Sequence, residues 1–114
     1  MTILDQSILD DLRELDRLGD GKFLRQIIGV FEEQAVEIID QLKSAVAETD
    51  DERLASLAHK LKGSARTVGA VELGDHCERL EREARAGDVS ELDKRLDEVL
   101  GAVTRAKAGL RDQL

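Results

Sequence analysis

The sequence predicts an all-α fold, an antiparallel up-down-up-down four-helix bundle with a short additional N-terminal helix. Apolar residues recur at spacings of three and four along almost the whole chain, which is the period of amphipathic helices. The 114 residues contain no proline, the commonest interruption of long helices, and no stretch alternates in the way of a half-buried strand. Because this length suits a single core, residues 1–114 are expected to form one domain.

The first helix is expected to be short, running from about Asp5 to Leu18. Ile8, Leu12 and Leu15 follow one another at spacings of four and three residues. Asp5 is placed to cap the first turn, because its carboxylate can accept a hydrogen bond from a free backbone N–H. A Gly-Asp-Gly stretch then breaks this helix and separates it from the next one.

The second helix is expected to be the longest, from about Lys22 to Glu48. Its predicted inward positions are Phe23, Ile27, Val30 or Phe31, Ile38, Leu42 and Ala45. Acidic residues in the Thr49-Asp50-Asp51 stretch supply a turn and a cap for the third helix. That helix is expected to run to about Val68, where Gly69 stops it by taking the left-handed conformation.

The fourth helix is expected from about Val71 to Ala86, with Gly87 ending it. The fifth is expected from about Ser90 to the C-terminus, with Asp88 or Ser90 as its cap. The apolar residues predicted to face inward on these two helices are Leu73, Cys77, Leu80, Ala84, Leu92, Leu96, Val99, Val103, Ala106 and Leu110. Because short connections force antiparallel neighbours, four amphipathic helices close into a bundle and the N-terminal helix covers one end.

Charge and cysteine content exclude several classes of function. The formal net charge of −8 opposes binding to the phosphates of DNA or RNA, so no nucleic-acid partner is expected. The single cysteine cannot form an internal disulfide, and the sequence carries neither a signal peptide nor an apolar run long enough to span a bilayer. We therefore expect a cytoplasmic monomer without membrane insertion. Met1 and the complete set of helices favour a free-standing protein over a fragment.

The third helix carries a histidine on its polar side. Its apolar stripe consists of Leu54, Leu57, Ala58, Leu61, Ala65 and Val68. The opposite side carries His59, Lys62, Gly63 and Arg66, which follow one another at the helical spacing i, i+3, i+4 and i+7. Phosphoryl transfer to nitrogen needs a free ring nitrogen, room for in-line approach and positive charge near the phosphoryl oxygens. The pattern leaves two interpretations open, a solvated surface histidine or a phosphoacceptor with Lys62 as the nearby cation and Gly63 as the open flank.

The same stretch resembles the signature of histidine-containing phosphotransfer (HPt) domains, and the resemblance covers nearly the whole chain. Its central part is the run Ala58-His59-Lys60-Leu61-Lys62-Gly63-Ser64-Ala65, followed by Val68-Gly69-Ala70, Leu73, Cys77, Leu80 and Glu81. Further matching positions upstream and downstream are Phe23-Leu24, Phe31, Leu42, Asp50 and Gly87-Asp88. A bare H-x-x-K-G is a weak signal, whereas the full set in order and at family spacing is specific.

The resemblance implies a phosphorelay intermediate. His59 would carry a phosphoryl group on Nε2, accepted from the aspartate of one receiver domain and passed to the aspartate of another. Lys62 would help neutralise the phosphoryl oxygens, and Gly63 would permit docking. The implied partners are response-regulator receiver domains and a hybrid sensor histidine kinase. The receiver would bring its own Mg²⁺, so this chain is expected to hold no cofactor and to have no ATP-binding or kinase domain.

Two supporting residues each keep two interpretations. Glu81 matches a position where the family often has a glutamine that contacts the histidine. A carboxylate there either accepts a hydrogen bond from the ring Nδ1–H, which favours the Nε2 lone pair, or is an ordinary solvated charge. Arg66 either steers the phosphoryl group or is an inert surface cation. Receiver docking is expected on the His59 face, together with apolar residues near the first two helices, namely Ile3, Ile8, Leu12 or Ile27.

Two alternative functions remain open from the sequence. Besides the phosphorelay intermediate, the first alternative is a phosphoacceptor domain excised from a larger hybrid or chemotaxis-type histidine kinase, and the second is a helical adaptor that carries no phosphate. A metal site is not expected at His76, Cys77 and Glu81. Cys77 belongs to the apolar stripe, and adjacent residues on a helix point about 100° apart, which opposes shared coordination.

Overall fold

Residues 2–17 and 19–114 are described by the structure, a computed structural model, and this part of the chain contains five helices and no strand. The helices are α1 (Gln6–Leu15), α2 (Lys22–Ala47), α3 (Asp51–Thr67), α4 (Val71–Arg85) and α5 (Leu92–Arg111). Helices α2 to α5 pack in cyclic order as a four-helix bundle, α3 against α4 most extensively, and α1 packs against α2. The predicted fold class is confirmed. Met1 and Leu18, the latter being the predicted end of the first helix, lie outside the described residues.

Capping residues fix the starts of α1 and α3, and a turn glycine follows α3, as the sequence predicts, whereas α1 ends at Leu15, earlier than predicted. Asp5 accepts a hydrogen bond from the backbone N–H of Ser7 at 3.0 Å, and Asp50 accepts one from that of Arg53 at 3.2 Å. Gly69 follows α3 with a φ of +75°, the left-handed conformation that glycine adopts most readily. The backbone N–H of Asp5 donates to the carbonyl of Gly69 at 2.7 Å, which ties the start of α1 to the α3–α4 turn.

The start of α5 differs from the prediction. The helix begins at Leu92 rather than Ser90, and its N-terminal flanking residue, Glu91, makes no side-chain cap. Asp88 accepts hydrogen bonds from the backbone N–H of Ser90 at 3.3 Å and from its hydroxyl at 2.7 Å. Asp88 and Ser90, the predicted capping residues, therefore bond to each other in a turn and do not cap the helix, which starts two residues later.

The buried face of α1 also differs from the prediction. Leu9 is completely buried, whereas Ile8 and Leu12 are half-buried and Leu15 is exposed. Because α1 makes few contacts with the other helices, mainly with α2, one side chain is inserted fully and its neighbours on the helix are covered in part.

The first two turns of α2 present a different face to the core than the sequence predicts. Leu24 and Ile28 are buried, while Phe23 and Val30 are 40% and 47% exposed and Ile27 is half-buried. Each predicted residue has an apolar neighbour next to it in the chain, so the pattern defines two stripes about 100° apart without selecting one. The predicted inward residues from the third turn onward are buried, namely Phe31, Ile38, Leu42 and Ala45.

The predicted inward residues of α3, α4 and α5 are all buried. Because the apolar stripe of α3 is used entirely in the core, the opposite side of that helix faces water. The functional candidates of α3 therefore lie on a surface whose backbone is fixed by the packing beneath it. None of the helices in the described ranges is long and apolar enough to cross a membrane.

Candidate functional site

His59 lies near the middle of α3, with its side chain 64% exposed. Its neighbours Ala58 and Leu61 are completely buried and hold this part of the helix against the core. Because successive helical residues point about 100° apart, that packing places the imidazole outside the bundle. The ring is thus open to a partner while its backbone is held in place.

The side chain of Glu81 on α4 reaches the ring from the neighbouring helix. Nδ1 of His59 lies 3.1 Å from Oε2 of Glu81 and 3.3 Å from Oε1. An ionised carboxylate can only accept hydrogen bonds, so Nδ1 is the donor in this contact. The proton held on Nδ1 leaves the lone pair on Nε2, which makes Nε2 the nucleophilic atom of the ring.

Two cations hold the Glu81 carboxylate from opposite ends. Lys62 donates from Nζ to Oε1 at 2.7 Å. Arg85 donates to Oε2 from Nη2 at 2.8 Å and from Nε at 3.1 Å. Only 10% of the Glu81 side chain is exposed, so these contacts form in a partly dehydrated space between α3 and α4. Four residues therefore form one hydrogen-bonded cluster, which we call the His59 cluster: His59, Lys62, Glu81 and Arg85.

The pKa of Glu81 reflects this environment. Burial raises the pKa of the carboxyl, but hydrogen bonds from Lys62 and Arg85, together with the charges of Lys62 and His59, outweigh burial and lower the pKa from 4.5 to about 2. Glu81 is consequently ionised throughout the physiological pH range, and its oxygens accept hydrogen bonds at any pH at which the protein functions.

Gly63 leaves open space beside the cluster. A Cβ atom placed on Gly63 would meet no atom within 4 Å, so no packing contact within the chain requires glycine there. Arg66, one turn further along α3, pairs with Glu78 at 3.5 Å, and its aliphatic stem lies over Gly74. Among the candidates on the exposed side of α3, the structure brings His59 and Lys62 together around Glu81 and places Arg66 in a separate ion pair.

Sequence reasoning assigned no role to Arg85. The available signal was its spacing of four residues after Glu81, which places an acidic and a basic side chain next to each other on one helix face. The partner of Glu81 on α3 depends on how far α3 and α4 are shifted along each other. A single helix pattern carries no information on that shift.

A groove of about 670 Å³ lies between α2 and α3 on the other flank of His59. Phe23, Ile27 and Val30 line its α2 side, and Lys60 and Gly63 contribute to its α3 side. Two of the apolar residues that α2 leaves exposed, Phe23 and Val30, are thus adjacent to the exposed face of α3. Three other residues expected at a docking surface do not line this groove, namely Ile3, Ile8 and Leu12.

The remaining histidine and the cysteine make no hydrogen bond with the His59 cluster among the described contacts. His76 is mostly buried, with Nδ1 3.3 Å from Glu98 of α5. Cys77 is fully buried, and its burial raises the pKa of the thiol to about 12. A thiol with that pKa stays protonated and packs as a small apolar residue.

Comparison with known proteins gives a consistent set of relatives. The family model described as Hpt domain matches residues 26–109. Multistep phosphorelay regulator 1 of Schizosaccharomyces pombe is 34% identical over 79 residues, which are 69% of this chain and 27% of that protein. Phosphorelay intermediate protein YPD1 of Candida albicans is 28% identical over 79 residues, 69% of this chain and 42% of that protein. The chain therefore spans less than half the length of these two relatives.

Solved structures support the fold independently. Histidine-containing phosphotransfer protein B (HptB) from Pseudomonas aeruginosa PAO1 superposes with a TM-score of 0.85 at 22% sequence identity. The similarity covers 97% of this chain and 93% of that one. The bundle and its additional N-terminal helix are thus shared over almost the whole length of both chains.

Proposed function

The chain belongs to the Hpt domain family, and on this premise we propose that it is a phosphorelay intermediate that carries a phosphoryl group on Nε2 of His59. The observation that carries the proposal is the state of the ring, which is open to solvent and has Nδ1 engaged by an ionised carboxylate. In this proposal residues 1–114 act as one phosphotransfer domain, a cytoplasmic monomer without an ATP site of its own. Its partners are response-regulator receiver domains and a hybrid sensor histidine kinase.

The proposed transfer needs one bond to form and one to break. The Nε2 lone pair attacks the phosphorus of an aspartyl phosphate on a receiver, and the bond from phosphorus to the aspartate oxygen breaks as the carboxylate leaves. The Nδ1 proton stays on the ring, where Glu81 stabilises the positive charge that develops. Attack by the aspartate of a second receiver reverses these steps, so the carrier returns to its starting protonation state. The Mg²⁺ that assists this chemistry belongs to the receiver.

Lys62 has a distinct role in the proposal. Its ammonium lies 2.7 Å from Glu81, one turn along α3 from His59, and the side chain is long and flexible. From that position a rotation of the side chain brings Nζ toward the oxygens of a phosphoryl group on Nε2. We assign Lys62 to charge neutralisation and Glu81 to positioning, since Glu81 acts through the ring rather than on phosphorus.

The groove between α2 and α3 serves as the receiver docking surface in this proposal. Phe23, Ile27 and Val30 provide partly exposed apolar contact area next to the reactive ring. Gly63 lets the partner backbone approach closely, because no side chain projects at that position. Arg66 is left out of the transfer site, since its guanidinium pairs with Glu78.

The proposal is tested by incubating the purified chain with receiver domains carrying labelled phosphate. We expect the label to move to the chain, to be lost in acid and to survive alkali, as phosphohistidine does. His59→Gln is expected to take up no label. An acid-stable label, or equal labelling of His59→Gln, would overturn the assignment to His59. A chain that takes no label from any receiver or kinase of its own organism would be an adaptor instead.

A further inference from the structure

The negative charge of Glu81 conflicts with the chemistry proposed at His59. Its carboxylate oxygens lie 3.1 and 3.3 Å from Nδ1 of the ring that is to receive a dianionic phosphoryl group. A phosphoryl group on Nε2 would lie on the far side of the ring, further from the carboxylate than Nδ1 is, but still close enough for the like charges to repel each other where water is largely excluded. A carboxylate can therefore hold this ring during transfer only if its own charge is balanced.

Lys62 cannot balance that charge alone. In the present structure its single ammonium contacts Oε1 of Glu81. The proposed function requires the same ammonium to move onto the phosphoryl oxygens when the group arrives. At that moment Glu81 would lose its cation just as the negative charge nearby increases.

Arg85 supplies a second cation that does not have to move. It contacts the other oxygen, Oε2, through two N–H groups at 2.8 and 3.1 Å. The guanidinium is a rigid planar fork, so two such contacts fix the direction of the carboxylate as well as its charge. Both residues lie on α4, four positions apart with the acidic residue first, which is the favourable order.

We propose that Arg85 is a positioning residue that holds and neutralises Glu81, so that Lys62 is free to transfer to the phosphoryl group while Nδ1 keeps its acceptor. This inference rests on the proposed function of His59. The two cations then have different roles. Lys62 binds the phosphoryl group, and Arg85 stays with the carboxylate of Glu81. The strong depression of the Glu81 pKa, to which the hydrogen bonds from Arg85 contribute, agrees with this arrangement.

A double-mutant cycle with a matched control tests the inference. The variants are Arg85→Gln, Glu81→Gln and the double variant, each measured for the rate of phosphoryl uptake at saturating receiver. Arg82→Gln is the control, because Arg82 is exposed on the same helix, changes the net charge equally and makes no hydrogen bond with Glu81 among the described contacts. We expect Arg85→Gln to slow uptake about tenfold in the parent and less than about twofold in the Glu81→Gln background. Arg82→Gln is expected to have little effect in either background.

The cycle separates action through Glu81 from other roles of Arg85. An equal loss in both backgrounds would show that Arg85 acts on the receiver directly and would overturn the inference. No loss in the parent would make Arg85 an inert surface cation, consistent with its 59% exposed side chain. Circular dichroism of each variant checks that the bundle is intact, since this exposed position contributes little to the core.

A measurement without any partner distinguishes failure of this inference from failure of the proposed function. The ¹⁵N chemical shifts of the His59 ring report how much of the neutral ring carries its proton on Nδ1. We expect Arg85→Gln to decrease that fraction, Arg85→Lys to restore part of it, and Arg82→Gln to leave it unchanged. Unchanged ring shifts in Arg85→Gln would overturn the inference even if the parent is labelled. Failure of the parent to accept phosphate would overturn the proposed function instead.

Discussion

At the residue scale, His59 combines a backbone fixed by packing with a ring nitrogen, Nε2, that has no partner among the described contacts. The buried residues of the apolar stripe hold α3 against the core. The carboxylate of Glu81 accepts a hydrogen bond from Nδ1 of the ring. The other nitrogen then keeps its lone pair, on a ring that is mostly exposed. In the proposed transfer, the side chain of Lys62 moves while the helix stays in place.

Replacing His59 separates function from stability. In His59→Gln, Glu81 keeps Lys62 and Arg85 as partners, and the lost side chain is mostly exposed. We expect the free energy of unfolding to change by less than about 0.5 kcal/mol while phosphoryl uptake disappears. Thermal unfolding followed by circular dichroism, combined with the labelling assay, checks both parts. A large loss of stability would mean that the ring contributes to the packing of the bundle.

Lys62→Ala probes the mobile cation. Removing the ammonium deprives the phosphoryl oxygens of their nearby positive charge, so transfer is expected to slow about tenfold or more. Rapid-quench kinetics with one phosphorylated receiver measure the effect. Lys94→Ala, at an exposed position near the start of α5, is the control for a general change in charge. Equal rates for the two variants would reduce Lys62 to a structural partner of Glu81.

The depressed pKa of Glu81 predicts a specific acid response. Because the pKa is about 2 in the folded chain and 4.5 ordinarily, the ionised carboxylate stabilises the fold fully above about pH 4.5. That contribution is lost as the pH falls from about 4.5 toward 2. The difference in unfolding free energy between the parent and Glu81→Gln should therefore be constant at neutral pH and change within this acidic window. Urea unfolding at a series of pH values measures it, and a difference independent of pH would contradict the assigned ionisation.

The part of the site that lies on α3 was predictable from the sequence. The contact between α3 and α4 was not. His59, Lys62 and Gly63 share a face of α3, so helical geometry alone places them together. The contact of Glu81 with this face depends on the register of α4 against α3, which is set by packing of the whole bundle. Reasoning from the residues therefore left Glu81 with two interpretations, and the contacts at 3.1 and 2.7 Å now favour the one that binds the ring.

At the element scale, α2 carries two apolar stripes with different destinations. Leu24 and Ile28 enter the core, while the neighbouring Phe23, Ile27 and Val30 line the groove beside His59. The sequence pattern predicted the helix and the core residues of its later turns. It could not assign the doublets at the start, because burial of one stripe depends on how α2 is rotated against α3 and α5.

A pair of substitutions on α2 tests the division between its stripes. Ile28→Ala removes a buried side chain and is expected to lower the unfolding free energy by about 2–4 kcal/mol. Val30→Ser changes a side chain that is 47% exposed, so stability should stay within about 0.5 kcal/mol. We expect Val30→Ser to raise the receiver concentration needed for half-maximal transfer several-fold without changing the saturating rate. A lower saturating rate with an unchanged half-maximal receiver concentration would place the docking surface elsewhere.

At the scale of the whole molecule, the bundle keeps its apolar core inside and leaves His59, the proposed phosphoacceptor, on the outside. Two glycines illustrate the separation. Gly63 has open space around it, whereas Gly69 has a positive φ and a Cβ there would lie 3.0 Å from the carbonyl oxygen of Asp5. One glycine is thus available to a partner, and the other is required by the turn that anchors α1.

Alanine at these two glycines should give opposite results. Gly63→Ala is expected to stabilise the chain by up to about 1 kcal/mol, because alanine is the better helix former, while slowing transfer by obstructing the receiver. Gly69→Ala is expected to destabilise the chain by about 1–3 kcal/mol, because of backbone strain, without slowing transfer by the folded protein. Chemical unfolding and transfer rates at saturating receiver provide the comparison. Loss of stability in Gly63→Ala would show that the open flank is a packing position after all.

³¹P NMR of the phosphorylated chain tests most directly whether Nε2 of His59 is the atom that carries phosphate. The chain has two histidines, so the site is resolved by comparing the parent with His59→Gln and His76→Gln. We predict one phosphohistidine resonance with the shift of an Nε2 adduct, present in the parent and in His76→Gln and absent from His59→Gln. A resonance that persists in His59→Gln, or one with the shift of an Nδ1 adduct, would contradict the assignment of the phosphoryl group to Nε2 of His59.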